Sequence, residues 1–309
     1  MKNIQEDRLI WLDGKIVPLH EATINVLSPT SQFGANVFEG IRCYWNEEEG
    51  QLYAFRLAEH YKRLKNSMKI FQMEDKYPID LLKQSLIDVV KANNYKEDIA
   101  VRQTVFIDGL GSWSSKGPVN MFVAPIAKHR SDLTMNKGMR CCVSSWERIS
   151  DRNISPKVKV GANYINSRMA QIEALNNGYD SAIFMNNQGK VSEGPGSCIF
   201  IVRDGKLLTP PITASILESI TRDTVLELAK EYLKIEVAER DIDRTELYVC
   251  DEIFLCGSAI EIAPVTNVDG IDISCAKPGD LTKAIHKIYI KAVTGKISAY
   301  KRWLTSIYA

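Results

Sequence analysis

The chain of 309 residues lacks an excess of charge of either sign: 39 basic and 38 acidic side chains leave a formal charge of +1. No bulk field therefore draws it to nucleic acid or to an anionic membrane surface. No apolar run approaches the ~18 residues that a membrane span needs. Residues 1–13 are polar and mixed in charge and do not read as a signal peptide. The seven cysteines (43, 141, 142, 198, 250, 256 and 275) are odd in number and scattered, with no CxxC pair. That pattern argues against a disulfide framework or a zinc site and fits a reducing, cytoplasmic setting. The four histidines, His20, His60, His129 and His286, stand too far apart in sequence for a local metal site. There is no G-x-S-x-G elbow and no phosphate-loop signature. Residues 108–113 (DGLGSW) hold two glycines but lack the strand–GxGxxG–helix context of a dinucleotide site. Trp113 in that loop reads first as packing and second as a pocket wall. No internal repeat or low-complexity tract is present.

The remaining composition, 45% hydrophobic and 25% charged, is that of an ordinary globular protein. The length suggests about two domains at ~150 residues each. Asp13-Gly14 between alternating apolar residues is a hairpin signal. A second turn is expected at 46–50, with strand YAF beyond it. In FRLAEHYKRLKNSMKIF, Leu57, Tyr61, Leu64 and Met68 recur at steps of four, three and four, one face of a helix. On this reading His60 lies on the polar side and is solvated. Residues 79–93 repeat the helical pattern, and 99–107 and 119–126 are β-branched or aromatic and read as strands. The first half is thus an α+β unit. Residues 127–138 are polar and aperiodic, a candidate linker. Beyond them the pattern predicts strand GMRCCVSSW, an extended KVKV and a helix from about Asn163 that stops at Asn176-Asn177-Gly178. Hairpin-like strands SAIFMN and CIFIV, a helix from near Thr221, strand DEIFLCG ending at Gly257 and a last helix over 281–293 complete the pass.

Several residues could carry chemistry, each beside a plainer reading. Lys157 and Lys159, if extended, point to one face. A lysine among apolar neighbours can lose its proton and form a Schiff base, yet most lysines are solvated surface charges. Glu193 sits beside Gly194 and Gly196, which permit close backbone approach to a ligand; the alternative is a solvated hairpin turn. LESITRD (217–223) could offer a phosphate the free N–H groups of a helix N-terminus, or be an ordinary N-cap. The turn at 257–259 offers further N–H groups.

Six motifs occur in fixed order: FGANVFEGIRCY at 33–44, FRLAEHYKRL at 55–64, KVGANY at 159–164, SEGPG at 192–196, ITRD at 220–223 and GSAIEIAPV at 257–265. This series resembles the class IV, fold-type IV aminotransferases, which use pyridoxal 5'-phosphate, and within them the bacterial branched-chain amino-acid enzymes. The resemblance covers the chain from about residue 8 to about 300. It implies a two-domain α+β fold: a sandwich-like small domain over 1–127, a linker over 128–138 and a larger pseudo-barrel domain over 139–309, with the cofactor expected between them. It implies ping-pong transamination through a Lys159 aldimine, between branched-chain or related hydrophobic L-amino acids and 2-oxoglutarate. Lys159 would serve as the base that moves the Cα proton, and Glu193 would pair with the pyridine nitrogen. Tyr164 would hydrogen-bond the phenolic oxygen. Arg56 would hold the phosphate with Ile220, Thr221 and Ser258, and Leu217 would pack on the ring. Phe38, Gly40, Arg102 and Ala259 would line the substrate pocket, Arg102 facing a carboxylate. A cytoplasmic homodimer or higher homo-oligomer is implied, with no nucleic-acid, membrane or metal partner. Four positions depart from the family pattern: Phe33 and Ala100 where tyrosine is usual, Ser219 where glycine is, and Cys198 where asparagine is. They keep open the same fold with shifted specificity, toward aromatic amino acids, D-amino acids or primary amines, or an aminodeoxychorismate lyase-like reaction.

Overall fold

A computed structural model describes residues 7–130 and 136–308. Of the expected linker, residues 131–135 lie outside the described residues, as do 1–6 of the N-terminal stretch. The chain forms two compact units. The first comprises Met1–His129, Val158–Ala162 and Ala292–Ala309; the second comprises Arg130–Lys157 and Asn163–Lys291.

In the first unit, Asp13 and Gly14 both take positive φ (38° and 94°) and turn β1 (Leu9–Leu12) into β2 (Lys15–Pro18). Positive φ at both central residues gives the turn the twist that a two-residue hairpin requires. The unit's sheet has seven strands in the order β15-β4-β3-β5-β6-β1-β2. Its middle is β3 (Asn36–Asn46), β5 (Ile99–Ile107) and β6 (Val119–Ala127), all antiparallel. Strand alternation assigns the two faces. Val37, Ile41 and Cys43 of β3 join the apolar core with Leu57, Tyr61, Leu64 and Met68 of α2 (Leu57–Ile70) and with Leu82, Leu86 and Val89 of α3 (Ile79–Asn93). Truncating one of these, such as Leu64→Ala, costs about 2–5 kcal/mol. The opposite face of the sheet carries Phe38, Gly40 and Arg42, which stand across from Thr104, Arg102 and Ala100 of β5.

Two segments from beyond residue 139, which the sequence pattern places in the second domain, fold with the first unit. Val158 and Val160 are part of its core, and Val160 bridges Val37. At the C-terminal end, β15 (Leu304–Ser306) pairs with β4 (Gln51–Phe55), and Asn46 Nδ2 donates to Thr294 O at 2.9 Å. The KVKV stretch is no regular strand, since Val160 makes its one bridge among the described residues. Lys157 and Lys159 therefore do not share a strand face.

The second unit holds an eight-stranded sheet, β11-β10-β9-β12-β13-β7-β8 with β14 on β13, where β11 is Val237–Glu239, β13 is Glu261–Val268 and β14 is Ile271–Asp272. The expected hairpin of β9 (Cys198–Arg203) and β10 (Lys206–Thr209) turns at Asp204-Gly205, both with positive φ. SAIFMN behaves differently. β8 (Ser181–Ile183) runs parallel to β7 (Met139–Val143), and Met185 bridges Val191 across the Asn187–Gly189 turn. It returns on the Val191–Glu193 segment because β9 is already paired on both edges by β10 and β12 (Glu252–Gly257). The predicted helix from Asn163 is α4 (Tyr164–Asn176), followed by Gly178 at φ 78°. α5 (Ile220–Glu227) starts one step earlier than the pattern suggests. Ser219 is its N-cap, and its Oγ accepts the Arg222 N–H at 3.2 Å, so Thr221 lies inside the first turn.

Candidate functional site

The residues singled out in the sequence fall in two sets, one on each unit, and the KVGANY motif supplies both: Lys159 belongs to the first unit and Tyr164 to the second.

In the first unit, Phe38 organises the set. The Lys159 Nζ lies 4.8 Å from its ring centroid, and the Arg102 guanidinium carbon lies 3.9 Å from it. Both cations thus meet the same π system, a favourable arrangement. Gly40 stands directly across from Arg102, and a Cβ there would meet nothing within 4 Å, so this face is open beside the arginine. The Lys159 backbone is fastened at both ends. Its N–H donates to Ser67 Oγ at 3.1 Å, and its carbonyl accepts the Phe38 N–H at 2.9 Å. Arg56 precedes α2 in the left-handed region (φ 49°, ψ 45°). Its N–H donates to Trp303 O at 2.7 Å, its Nε donates to Glu59 Oε1 at 2.8 Å, and its guanidinium lies 5.1 Å from the Trp303 ring centroid.

Beneath this set the structure corrects the expectation for His60. The residue is buried, 1% exposed, and its Nδ1 lies 2.7 Å from Glu39 Oε2. Arg63 Nε and Nη2 donate to the two oxygens of the same carboxylate, at 2.8 and 2.7 Å. Arg56, His60, Arg63 and Ser67 recur at four, three and four, the same period as the apolar stripe and one residue earlier. Helical periodicity reports the apolar stripe. It is silent on a polar stripe that a strand carboxylate covers. Burial acts to raise the Glu39 pKa, but the charge and hydrogen bonds of Arg63, with the hydrogen bond of His60 beside them, bring it down to about 2. Burial lowers that of His60 against the pull of Glu39, with Arg63 and Lys159 adding to the fall. His60 is therefore neutral. Facing an ionised carboxylate, which only accepts, its Nδ1 carries the proton.

In the second unit Glu193 is the centre, 4% exposed. Arg148 Nε donates to its Oε1 at 2.8 Å, and the Leu217 N–H donates to Oε2 at 3.2 Å. The sulfur of Cys198 lies 3.9 Å from Oε2 and 3.8 Å from Leu217 O, so the thiol serves as a weak donor to both. Arg148 Nη1 donates to Asn166 Oδ1 at 3.0 Å, two residues beyond Tyr164, so the start of α4 and the Glu193 segment share one network. The alternative of a solvated Glu193 is excluded by its burial. Gly257 makes a close approach: a Cβ there would sit 3.2 Å from Gly196 O. The Ser258-Ala259 turn thus adjoins the 194–196 turn. Ile220 and Thr221 occupy the first turn of α5, where N–H groups have no intrahelical acceptor. Lys157 pairs with Glu218 at 3.6 Å, an ordinary partly exposed ion pair.

Sequence reasoning missed Arg148, Glu39, Arg63 and Ser67. Glu39 and Arg63 lie inside FEGIR and HYKRL, motifs already in view, but nothing in their spacing shows that they meet. Arg148 stands in no such motif.

Residues 36–268 match the family model described as amino-transferase class IV. The chain is a class IV aminotransferase. A curated relative, the probable branched-chain-amino-acid aminotransferase of Aquifex aeolicus, is 40% identical over 299 residues and covers 96% of each chain. The PLP-form branched-chain amino acid aminotransferase structure from Thermobaculum terrenum is 42% identical with a TM-score of 0.93, over 99% of this chain and 100% of that one. The branched-chain aminotransferase structure from Thermoproteus uzoniensis with norvaline is 40% identical with a TM-score of 0.92, over 97% of this chain and 99% of that one. The fold is accordingly that of the fold-type IV enzymes. Among the described residues, no cluster of three metal-ligating side chains and no helix long and apolar enough to cross a membrane is present.

Proposed function

We propose that the protein transfers the amino group of branched-chain L-amino acids to 2-oxoglutarate, with pyridoxal 5'-phosphate as cofactor and Lys159 as the reacting lysine. The observation that carries this reading is the Lys159 amine set against an apolar wall, the Phe38 ring; in the second unit the buried Glu193 carboxylate, held by Arg148, supports it independently. The residues fit the group. Arg56, the first-turn N–H groups of Ile220 and Thr221, and Ser258 suit a phosphate. Glu193 suits a protonated ring nitrogen, since Arg148 Nε donates to its Oε1 while a neutral donor, the Leu217 N–H, goes to Oε2. Tyr164 offers a hydroxyl, and Leu217 an apolar face. When bound, the cofactor supplies an electron sink that lets the Cα–H bond of the amino acid break.

The chain's own residues do the rest. Lys159 Nζ would take the proton from the substrate Cα, and its backbone, held by Ser67 and Phe38, would keep the amine in place for it. Arg102 receives a substrate carboxylate on the open side of Gly40. The Ser258-Ala259 N–H groups receive the other. Mixing the protein with leucine and 2-oxoglutarate should yield glutamate, and Lys159→Ala should abolish it. Failure of the wild-type protein to form glutamate from leucine overturns the assignment.

A second reading concerns donor size. Ala100 lies across from Arg42 and next to the Gly40–Arg102 pair, so two small residues lie diagonally on one face, flanked by two arginines. This favours donors with larger side chains, aromatic ones included. Ala100→Tyr should then raise KM for phenylalanine at least about fivefold and leave leucine within about twofold, because the added ring fills space that only the larger donor uses. The homodimer is supported by exposed apolar side chains on two adjoining loops, Val26 and Leu27 beside Leu110 and Trp113, the last 79% exposed. Pro29 meets the 111–115 loop at Gly111. Light scattering of Leu110→Ser/Trp113→Ser against wild type tests it, a smaller particle being expected. The cytoplasmic placement is supported by seven free thiols.

A further inference from the structure

The strand β3 and the helix α2 are joined twice, side by side. One tie is the Lys159 main chain. Its carbonyl takes the Phe38 N–H of β3, and its N–H goes to the hydroxyl of Ser67 on α2. The other tie is Glu39, the next residue of β3, whose carboxylate takes His60 and both arms of Arg63 on the same helix. Ser67 and His60 are each 1% exposed, and Glu39 is 0% exposed, so each tie has a buried group at its centre. Three helical residues of one stripe thus hold a strand residue and the lysine segment in common register. Buried donors and acceptors of this kind tolerate little displacement, because each lost partner leaves a desolvated polar group.

We propose that Ser67, steadied by the Glu39–His60–Arg63 tie, is a positioning residue that sets where the Lys159 amine swings. The assignment rests on the reading of Lys159 as the reacting lysine. Ser67 touches neither substrate nor cofactor in this scheme; it acts on the lysine's own N–H. The lysine side chain is flexible between Cα and Nζ, so its reach is determined by where Cα stands. Ser67 and Phe38 determine that, and the Phe38 ring then limits the amine to one side. Ser67→Ala removes a single oxygen and leaves the Lys159 N–H without its hydroxyl. A Cα freed in this way departs from the productive geometry, for which displacements of about 1 Å cost up to about a hundredfold in rate.

The test uses the holoenzyme of wild type, Ser67→Ala, Ser67→Thr and Lys159→Ala, each reconstituted with pyridoxal 5'-phosphate. Three quantities are read: the visible absorbance of cofactor attached to lysine, the pH midpoint of that absorbance, and the single-turnover rate with saturating leucine per bound cofactor. The expected result is full cofactor occupancy in Ser67→Ala, a displaced absorbance midpoint and a single-turnover rate lower by roughly tenfold. The half-saturating leucine concentration should stay within about twofold. Ser67→Thr, which keeps the hydroxyl, should restore rate and midpoint. A Ser67→Ala protein with wild-type midpoint and wild-type rate at full occupancy overturns the proposal. If wild type has the same absorbance as Lys159→Ala, the reading of Lys159 is what fails. Should Ser67→Ala not fold, Ser67→Cys keeps the volume with a weak acceptor and is read by the same criteria.

Discussion

Replacing Glu39 by glutamine removes one negative charge from the interior of the first unit at nearly constant shape. The carboxyl titrates at about 2 in the fold against an ordinary 4.5. That difference corresponds to about 3 kcal/mol of stability at pH 7, each tenfold change in ionisation being worth about 1.4 kcal/mol. A separate route gives a similar figure, since breaking an ion pair whose carboxylate is fully buried costs about 3–5 kcal/mol. The folded-state value is depressed, so the contribution is complete above pH 4.5 and is lost as pH falls toward 2. By the same relation about 1.4 kcal/mol remains at pH 3. The charged group facing the carboxylate is Arg63; His60 is neutral beside it at pH 7. The lowered pKa of His60 adds a slope of the same sign, beginning below its ordinary 6.5. Urea unfolding followed by tryptophan fluorescence suits the measurement, because Trp11, Trp45, Trp113 and Trp303 lie in the first unit and Trp146 in the second. Glu39→Gln should be less stable by about 3 kcal/mol at pH 7 and by about half of that at pH 3. A penalty of equal size at both pH values refutes the electrostatic account, and so does one below about 1 kcal/mol at pH 7.

Arg148→Leu should destabilise the second unit by about 3–5 kcal/mol because the buried Glu193 loses its guanidinium, and should weaken cofactor retention; calorimetry and equilibrium dialysis check the two effects, and an unchanged melting temperature contradicts the first. Gly34→Ala should cost about 1–2 kcal/mol, because Gly34 ends its short helix at φ 68° and a Cβ there would press on Ala162 at 3.3 Å. A thermal scan showing no loss would remove that claim. Ser219→Ala should cost about 1 kcal/mol by removing the α5 cap, whereas Ser219→Gly should cost only a few tenths. A Ser219→Ala protein as stable as wild type would show that the hydroxyl does not act as a cap.

Much of the fold was legible along the chain, for local reasons. The Asp13-Gly14 turn, the α2 and α3 periods and the Gly178 stop each follow from residues within a few positions of one another. The two segments that join the first unit from afar were not legible. Val158–Ala162 and Ala292–Ala309 carry no composition that separates them from their neighbours, and only pairing with Val37 and β4 assigns them. The family was legible because six motifs in order exceed what any single one conveys, and the match over residues 36–268 agrees. The choice between Lys157 and Lys159 rested on resemblance alone. The structure adds a physical distinction: Lys157 pairs with Glu218, while the Lys159 amine lies against Phe38.

The sequence by itself determined the elements, the order of the motifs and the family, since these depend on near neighbours and on chain order. Tertiary structure alone decided which polar residues are interior. His60 looks solvated on its helix because a period of 3.6 marks only the apolar stripe. It is buried because Glu39, 21 residues away on a strand, reaches over it with Arg63. In the same way Glu193 acquired Arg148, 45 residues away, and the lysine N–H acquired Ser67, 92 residues away. A buried charge or polar group needs a partner, and in each case the partner was brought by packing rather than by spacing along the chain.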